Sequence, residues 1–151
     1  GKNPADYQQG PLSMTVRFEI PDYAAVGDGV MICQPIVKTG LYNSIYTFLR
    51  VSLTPETRRY AFKDSTSRLV ELDESITLPA GYTLVGKPYE AEVGGQTGNY
   101  EGSCSQSGAT LHLQQRISLG KRVYDAADWT QFRESVLGFK EINDLVFEKS
   151  E

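Results

Sequence analysis

Histidine occurs once in this sequence, at His112, and cysteine twice, at Cys33 and Cys104. One imidazole and dispersed carboxylates specify no metal set, so neither a metal nor a cofactor is expected. The two cysteines are far apart and match no metal-ligand spacing. They read as two buried free thiols acting as small hydrophobes, although their spacing alone leaves a disulfide open. Basic residues form no stripe, only the short pairs Arg58-Arg59 and Lys121-Arg122, and the net charge is −4. Phosphate neutralisation needs clustered cations, so nucleic acid and anionic membrane surfaces are not expected as partners. No apolar run reaches the roughly 18 residues that a bilayer span requires, which argues against membrane insertion. No internal repeat or low-complexity tract appears. No secretory leader is visible, and Gly1 reads as the residue left by removal of a purification tag.

What is present suits one independently folding unit over residues 1–151. A chain of 151 residues buries roughly 70% of its unfolded surface, enough to fold on its core without staples. Apolar residues at 40% and charged residues at 23% place it among globular domains rather than disordered chains.

Period-two patterning dominates. Met14, Val16, Phe18 and Ile20 alternate with polar residues and predict a half-buried strand ended by Pro21-Asp22. A turn follows at Gly27-Asp28-Gly29. Residues 30–37 are nearly all apolar, which predicts a strand buried on both faces, with Pro35 marking a bulge or an unpaired edge. The segment 41–53 fits neither period. Short strands are expected over 59–62, 82–85 and 89–93. A longer one carries Val70, Leu72, Ile76 and Leu78 on one parity, with Glu74 on that parity at a bulge or where the strand leaves the core. Residues 99–105 and the alternating Leu111, Leu113, Ile117 and Leu119 read as a hairpin about Ser107-Gly108.

The tail changes period. Trp129, Phe132, Val136 and Phe139 recur at helical steps, predicting one helix over about 125–142. Asp125 is its expected N-cap, and Tyr124 with Trp129 an expected hydrophobic staple. A short strand at 145–147 closes the chain. Many short strands between Gly and Pro turns predict a mainly β, antiparallel sandwich-like domain with the C-terminal helix packed on it.

An ordered series of features now carries a resemblance. Gln34-Pro35 comes first, then the Arg58-Arg59-Tyr60 strand, then Ile76-Thr77-Leu78-Pro79-Ala80-Gly81-Tyr82 and Lys87-Pro88. The hairpin ending in residues 113–119, the helix with Trp129, Phe132 and Phe139, and a closing Leu145-Val146-Phe147 complete it. In this order the chain resembles the β-rich domain of unknown function found after the transglutaminase-like core of Bacteroidetes proteins. The resemblance implies an accessory domain, exported to the periplasm or cell surface, whose partners are the preceding domains of the same polypeptide. The family's Cys-His-Asp set lies in the upstream domain, so the resemblance implies no catalytic residue here.

Candidate chemistry can be weighed residue by residue. A thiol nucleophile needs a neighbouring base, and Cys104 with His112 on adjacent strands is the available pair. The plainer reading is an exposed His and a buried hairpin Cys. Glu71 and Asp73 share a strand face with Cα atoms about 6.5–7 Å apart, near glycosidase carboxyl spacing. Alternating acids on a wet strand face are also ordinary edge protection. The glycines between 94 and 108 lack the Lys-Ser/Thr and following helix of a phosphate loop and read as turns. Tyr42, Tyr46 and Phe48 form the best candidate platform for stacking a sugar or peptide, or for an interdomain surface. The expected function is therefore non-catalytic and accessory. The alternative is a stand-alone glycan- or peptide-binding module, and a stand-alone enzyme is the remotest reading.

Overall fold

The computed structural model describes residues 15–36, 51–140 and 144–150. Ten strands are described: β1 (Ala25–Gly27), β2 (Val30–Cys33), β3 (Phe62–Lys63), β4 (Arg68–Thr77), β5 (Tyr82–Leu84), β6 (Tyr89–Val93), β7 (Asn99–Ser107), β8 (Thr110–Leu119), β9 (Val123–Tyr124) and β10 (Leu145–Lys149). A 3-10 turn, Ala126–Asp128, leads into the helix α1 (Trp129–Lys140). The large sheet runs β4-β8-β7-β6 and the small sheet β1-β2-β10-β5, while β3 and β9 pair by themselves. Every pairing is antiparallel.

The large sheet is the floor of the domain, and its inner face is roofed by two different elements. At one end α1 lays Trp129, Phe132, Val136 and Phe139 over Tyr100, Ile117 and Leu119. At the other end the small sheet lays Met31, Cys33, Leu145 and Phe147 over Cys104, Leu111 and Leu113. Alternation in β8 puts Leu111, Leu113, Ile117 and Leu119 on that inner face, each at most 1% exposed. Non-polar area is thus removed from water on both roofs by a single strand. Gln115 shares this parity where the two roofs meet, is buried, and donates from Nε2 to the Tyr100 hydroxyl at 3.1 Å.

Aromatic packing anchors the helical end. The Phe62 ring stacks on Tyr124 at 5.0 Å and meets Trp129 and Phe132 edge-on, both at 5.1 Å. The Arg58 guanidinium lies 4.2 Å from the Trp129 ring centroid, and Trp129 Nε1 donates to the Pro55 carbonyl. At the helix start the Asp125 N–H donates to Asp128 Oδ2 at 2.9 Å, and Tyr124 reaches along the chain to Phe132 at 4.9 Å.

Several expectations are corrected. Residues 15–20 are not in a ladder, and Val16, Phe18 and Ile20 are exposed. Alternation prescribes which side of a segment is apolar, not whether it pairs into a ladder. The strand expected over 30–37 stops at Cys33 and is buried on one face only, with Ile32 exposed. Pro35 lacks the N–H that would extend it. The 59–62 strand lies instead at Phe62–Lys63. No bulge forms at Glu74, because the register from Arg68↔Leu119 to Thr77↔Thr110 is unbroken. The two-residue hairpin between β1 and β2 is made by Asp28 and Gly29, with φ of 50° and 77°. Both angles are positive, as the turn that matches strand twist demands. The expected sandwich-like β fold with one C-terminal helix is otherwise present. Met14, Val37 and residues 141–143 lie outside the described residues.

Candidate functional site

Strand alternation that buries Leu111 and Leu113 necessarily turns His112, Gln114 and Arg116 outward. Their partners across the large sheet are set by register: Glu71↔Arg116↔Glu101↔Glu92, and Asp73↔Gln114↔Ser103↔Glu90. The outer face of this sheet is a shallow concavity of about 860 Å³, walled by Glu71, Asp73, Glu90, Glu92, Glu101 and Arg116. Five carboxylates face one guanidinium. Arg116 Nε binds Glu71 Oε1 at 3.1 Å, with Glu101 3.9 Å from its Nη1. Gln114 Nε2 donates to Asp73 Oδ2 at 3.0 Å. The net charge of the whole chain, −4, is accounted for by this one face. Exposed ion pairs in such an array contribute little to stability, so its effect is the field it presents to cationic groups.

Glu71 and Asp73 do share a face, as their parity requires. They sit in open solvent, with one paired to Arg116 and the other to an amide. Nothing in this arrangement sets one apart as acid and the other as nucleophile.

Cys104 and His112 do not come together. Cys104 faces inward opposite Leu113, and His112 faces outward opposite Ser105, with its Nδ1 3.4 Å from Ser75 Oγ. The sheet separates the thiol from the imidazole. Both cysteines are free and buried, in the core beneath the small sheet. Burial pushes both thiols up, and the Glu74 carboxylate adds to it. A reactive thiol needs the opposite environment. Glu74 itself faces inward and accepts the Ile36 N–H at 2.9 Å. Burial first, then Glu74 and Cys33, pushes the Tyr23 phenol up to about 12.

The glycines after β6 serve packing against α1. A Cβ at Gly95 would stand 1.1 Å from Gln131 Nε2, and one at Gly98 2.9 Å from Ser135 Oγ. Gln131 Oε1 accepts the Thr97 N–H, and its Nε2 donates to the Gly94 carbonyl. The loop is thus stitched to the helix rather than opened toward a phosphate. Tyr42, Tyr46 and Phe48 lie outside the described residues. Among the described residues no group of three or more His, Cys, Asp or Glu side chains is arranged to hold a metal ion. No helix among them is long and apolar enough to cross a membrane.

Sequence reasoning missed two polar connectors. Gln106 Oε1 accepts the Leu84 N–H at 2.7 Å while its Nε2 donates to the Tyr82 and Gly108 carbonyls, tying the small sheet to β7. Asp64, fully buried, binds Arg68 Nη2 at 2.6 Å. Nothing local marks either contact: i,i+4 spacing brings side chains together on a helix, and residues 64–67 are a loop leading into β4.

Residues 32–144 match the model of a domain of unknown function for which a structure has been solved, DUF3858. No curated protein matches the chain in sequence. Among solved structures, the chain is similar to that of a putative protease from Parabacteroides distasonis, with 18% identity and a TM-score of 0.62. The match covers 80% of this chain and 24% of that one, so the chain spans about a quarter of its structural neighbour.

Proposed function

Because this chain belongs to the DUF3858 family, whose function is unknown, we propose that it is a non-catalytic accessory domain of a larger exported protein. In this reading it packs on, or positions, an enzyme domain of transglutaminase-like, cysteine-protease fold that precedes it. The observation that carries the reading is the proportion of the structural match: most of this chain corresponds to about a quarter of a longer putative protease. Its own residues fit that role. The one imidazole is on the opposite face of the sheet from Cys104, and both thiols are buried in environments that disfavour thiolate.

The test compares hydrolysis of an unfolded protein substrate by the longer polypeptide, by the same polypeptide lacking residues 15–150, and by this chain alone. The reading expects activity in the first, altered activity in the second and none in the third. Hydrolysis by this chain alone that disappears in Cys104→Ala would overturn it. The alternative, a stand-alone glycan- or peptide-binding module, calls for a groove offering rings to stack on. The concavity described above is walled by carboxylates and a guanidinium instead. Binding to an array of bacterial glycans by the isolated chain would revive the alternative.

A further inference from the structure

The two sheets have opposite outer faces. That of the large sheet is charged, as a solvated face should be. That of the small sheet carries an apolar row across three strands, continued by the residue that follows the fourth. Ala25 on β1 pairs with Ile32 on β2, and Ile32 with Val146 on β10. The row continues to Val85 after β5, whose N–H donates to the Val146 carbonyl at 2.8 Å. Ala25 is exposed, Ile32 43% exposed, Val146 partly exposed and Val85 45% exposed. The neighbouring row runs Gly27, Val30, Glu148 and Thr83, so it turns polar at its β10–β5 end. Single exposed apolar residues are ordinary. A row aligned by register across a whole sheet face, with polar residues at one end of its border, has the composition of a docking surface.

The occupant is indicated by how the chain arrives. Residues 15–20 run directly through the turn at Pro21-Asp22 into β1, the edge strand of this same sheet. They carry Val16, Phe18 and Ile20 exposed at 53%, 46% and 44%. The chain thus enters the small sheet at its β1 edge, where Ala25 opens the apolar row. The structural neighbour is about four times the extent of the matched region, so there is protein enough in such a chain to cover the face.

We infer that the outer face of the small sheet, centred on Ile32 and Val146, is the docking surface for the domain that precedes this one in the polypeptide. The inference rests on the accessory reading above and adds the surface through which it operates. It also assigns a purpose to the alternation in residues 15–20: that segment is the apolar hinge strap between the two bodies, which is why it is patterned like a strand and yet is not in a ladder here.

Hydroxyl-radical footprinting of this chain alone and of the longer polypeptide tests the inference. Labelling of Phe18, Ile32 and Val85 should fall several-fold in the longer polypeptide, while His112 on the charged face labels equally in both. Ile32→Lys with Val85→Lys should leave the melting temperature of this chain alone unchanged, because both side chains are exposed. In the longer polypeptide the same pair should restore labelling at Phe18 and speed proteolytic cleavage near residues 15–20. Equal labelling of Ile32 and Val85 in both proteins overturns this surface, and protection at His112 instead would move the interface to the large sheet and leave the accessory reading standing. A reading frame with no preceding domain overturns both. Protection of Ile32 in this chain alone, accompanied by dimeric sedimentation, assigns the face to a second copy and overturns the inference.

Discussion

Gly138 lies inside α1, where glycine is usually a liability. Replacing an interior helical glycine by alanine ordinarily gains about 1 kcal/mol, since alanine loses less backbone freedom on folding. Here the expected sign is reversed. A Cβ at this position would lie 2.6 Å from Tyr100 Cδ1 and 2.9 Å from Cε1. Carbon atoms pack best at about 3.5–4.0 Å, so the ring must retreat by about 1 Å. It has nowhere to go: Tyr100 is fully buried, its hydroxyl accepts from Gln115, and Phe139 stands edge-on at 6.3 Å. Overpacking of this kind costs about 1–3 kcal/mol, so Gly138→Ala should be net destabilising by about 1 kcal/mol once the propensity gain is subtracted. In a chain of this length that lowers the melting temperature by about 2–4 °C. Urea unfolding followed by Trp129 fluorescence measures it directly. In a Tyr100→Leu background the same substitution should become neutral or stabilising, a coupling of about 1 kcal/mol or more. A Gly138→Ala protein as stable as the parent would show that the ring yields and that close approach is not what selects glycine.

Asp64→Ala removes the carboxylate 2.6 Å from Arg68, whose side chain is only 8% exposed; it should cost about 3–5 kcal/mol in chemical denaturation, whereas Glu71→Gln at the exposed pair with Arg116 should cost less than about 1 kcal/mol. The Asp128 carboxyl is held below its ordinary range by the Asp125 N–H, then by Lys121 and Thr97. Its contribution should therefore be complete above the ordinary carboxylate range and disappear as pH falls through the folded-state value, so the gap in urea midpoint between the parent and Asp128→Asn should close in acid. Both thiols are pushed up, which makes their contribution complete below the ordinary thiol range and lost as pH rises through it. Urea midpoints should accordingly fall as pH rises above the ordinary thiol value of about 8.5, with a shallower fall in Cys33→Ala, and a disulfide thiol reagent at pH 8 should react with neither cysteine until the chain unfolds. Gln106→Ala strands the Leu84 N–H and should cost about 1–3 kcal/mol, with faster amide exchange across 82–84 as the local readout.

Local pattern was enough for most of the architecture. The alternation in residues 68–78 and 110–119, the turn glycines at 81 and 108, and the helical spacing of Trp129, Phe132, Val136 and Phe139 each encode which side of an element is apolar, and that is a property of neighbours in sequence. The same parity placed His112 in solvent and put Glu71 with Asp73 before any fold was in hand. Pairing partners belong to a different kind of information. That Cys104 and His112 stand on opposite faces follows from parity plus register, and register is decided by the turn between β7 and β8 together with the whole apolar set. Residues 15–20 have the pattern of a strand but no described partner, because alternation specifies an apolar side while pairing is decided by the tertiary arrangement. The division of one sheet's inner face between a helix and a second sheet could not be read from either element alone. Each roof shows only its own apolar stripe, and the close packing of Gly138 on Tyr100 and of Gly95 on Gln131, which decides where the helix sits, arises from side chains far apart in the chain. Sequence alone determined the apolar faces, the turns and the charge; the tertiary structure decided which faces were covered, and so left the row through Ile32 and Val146 exposed.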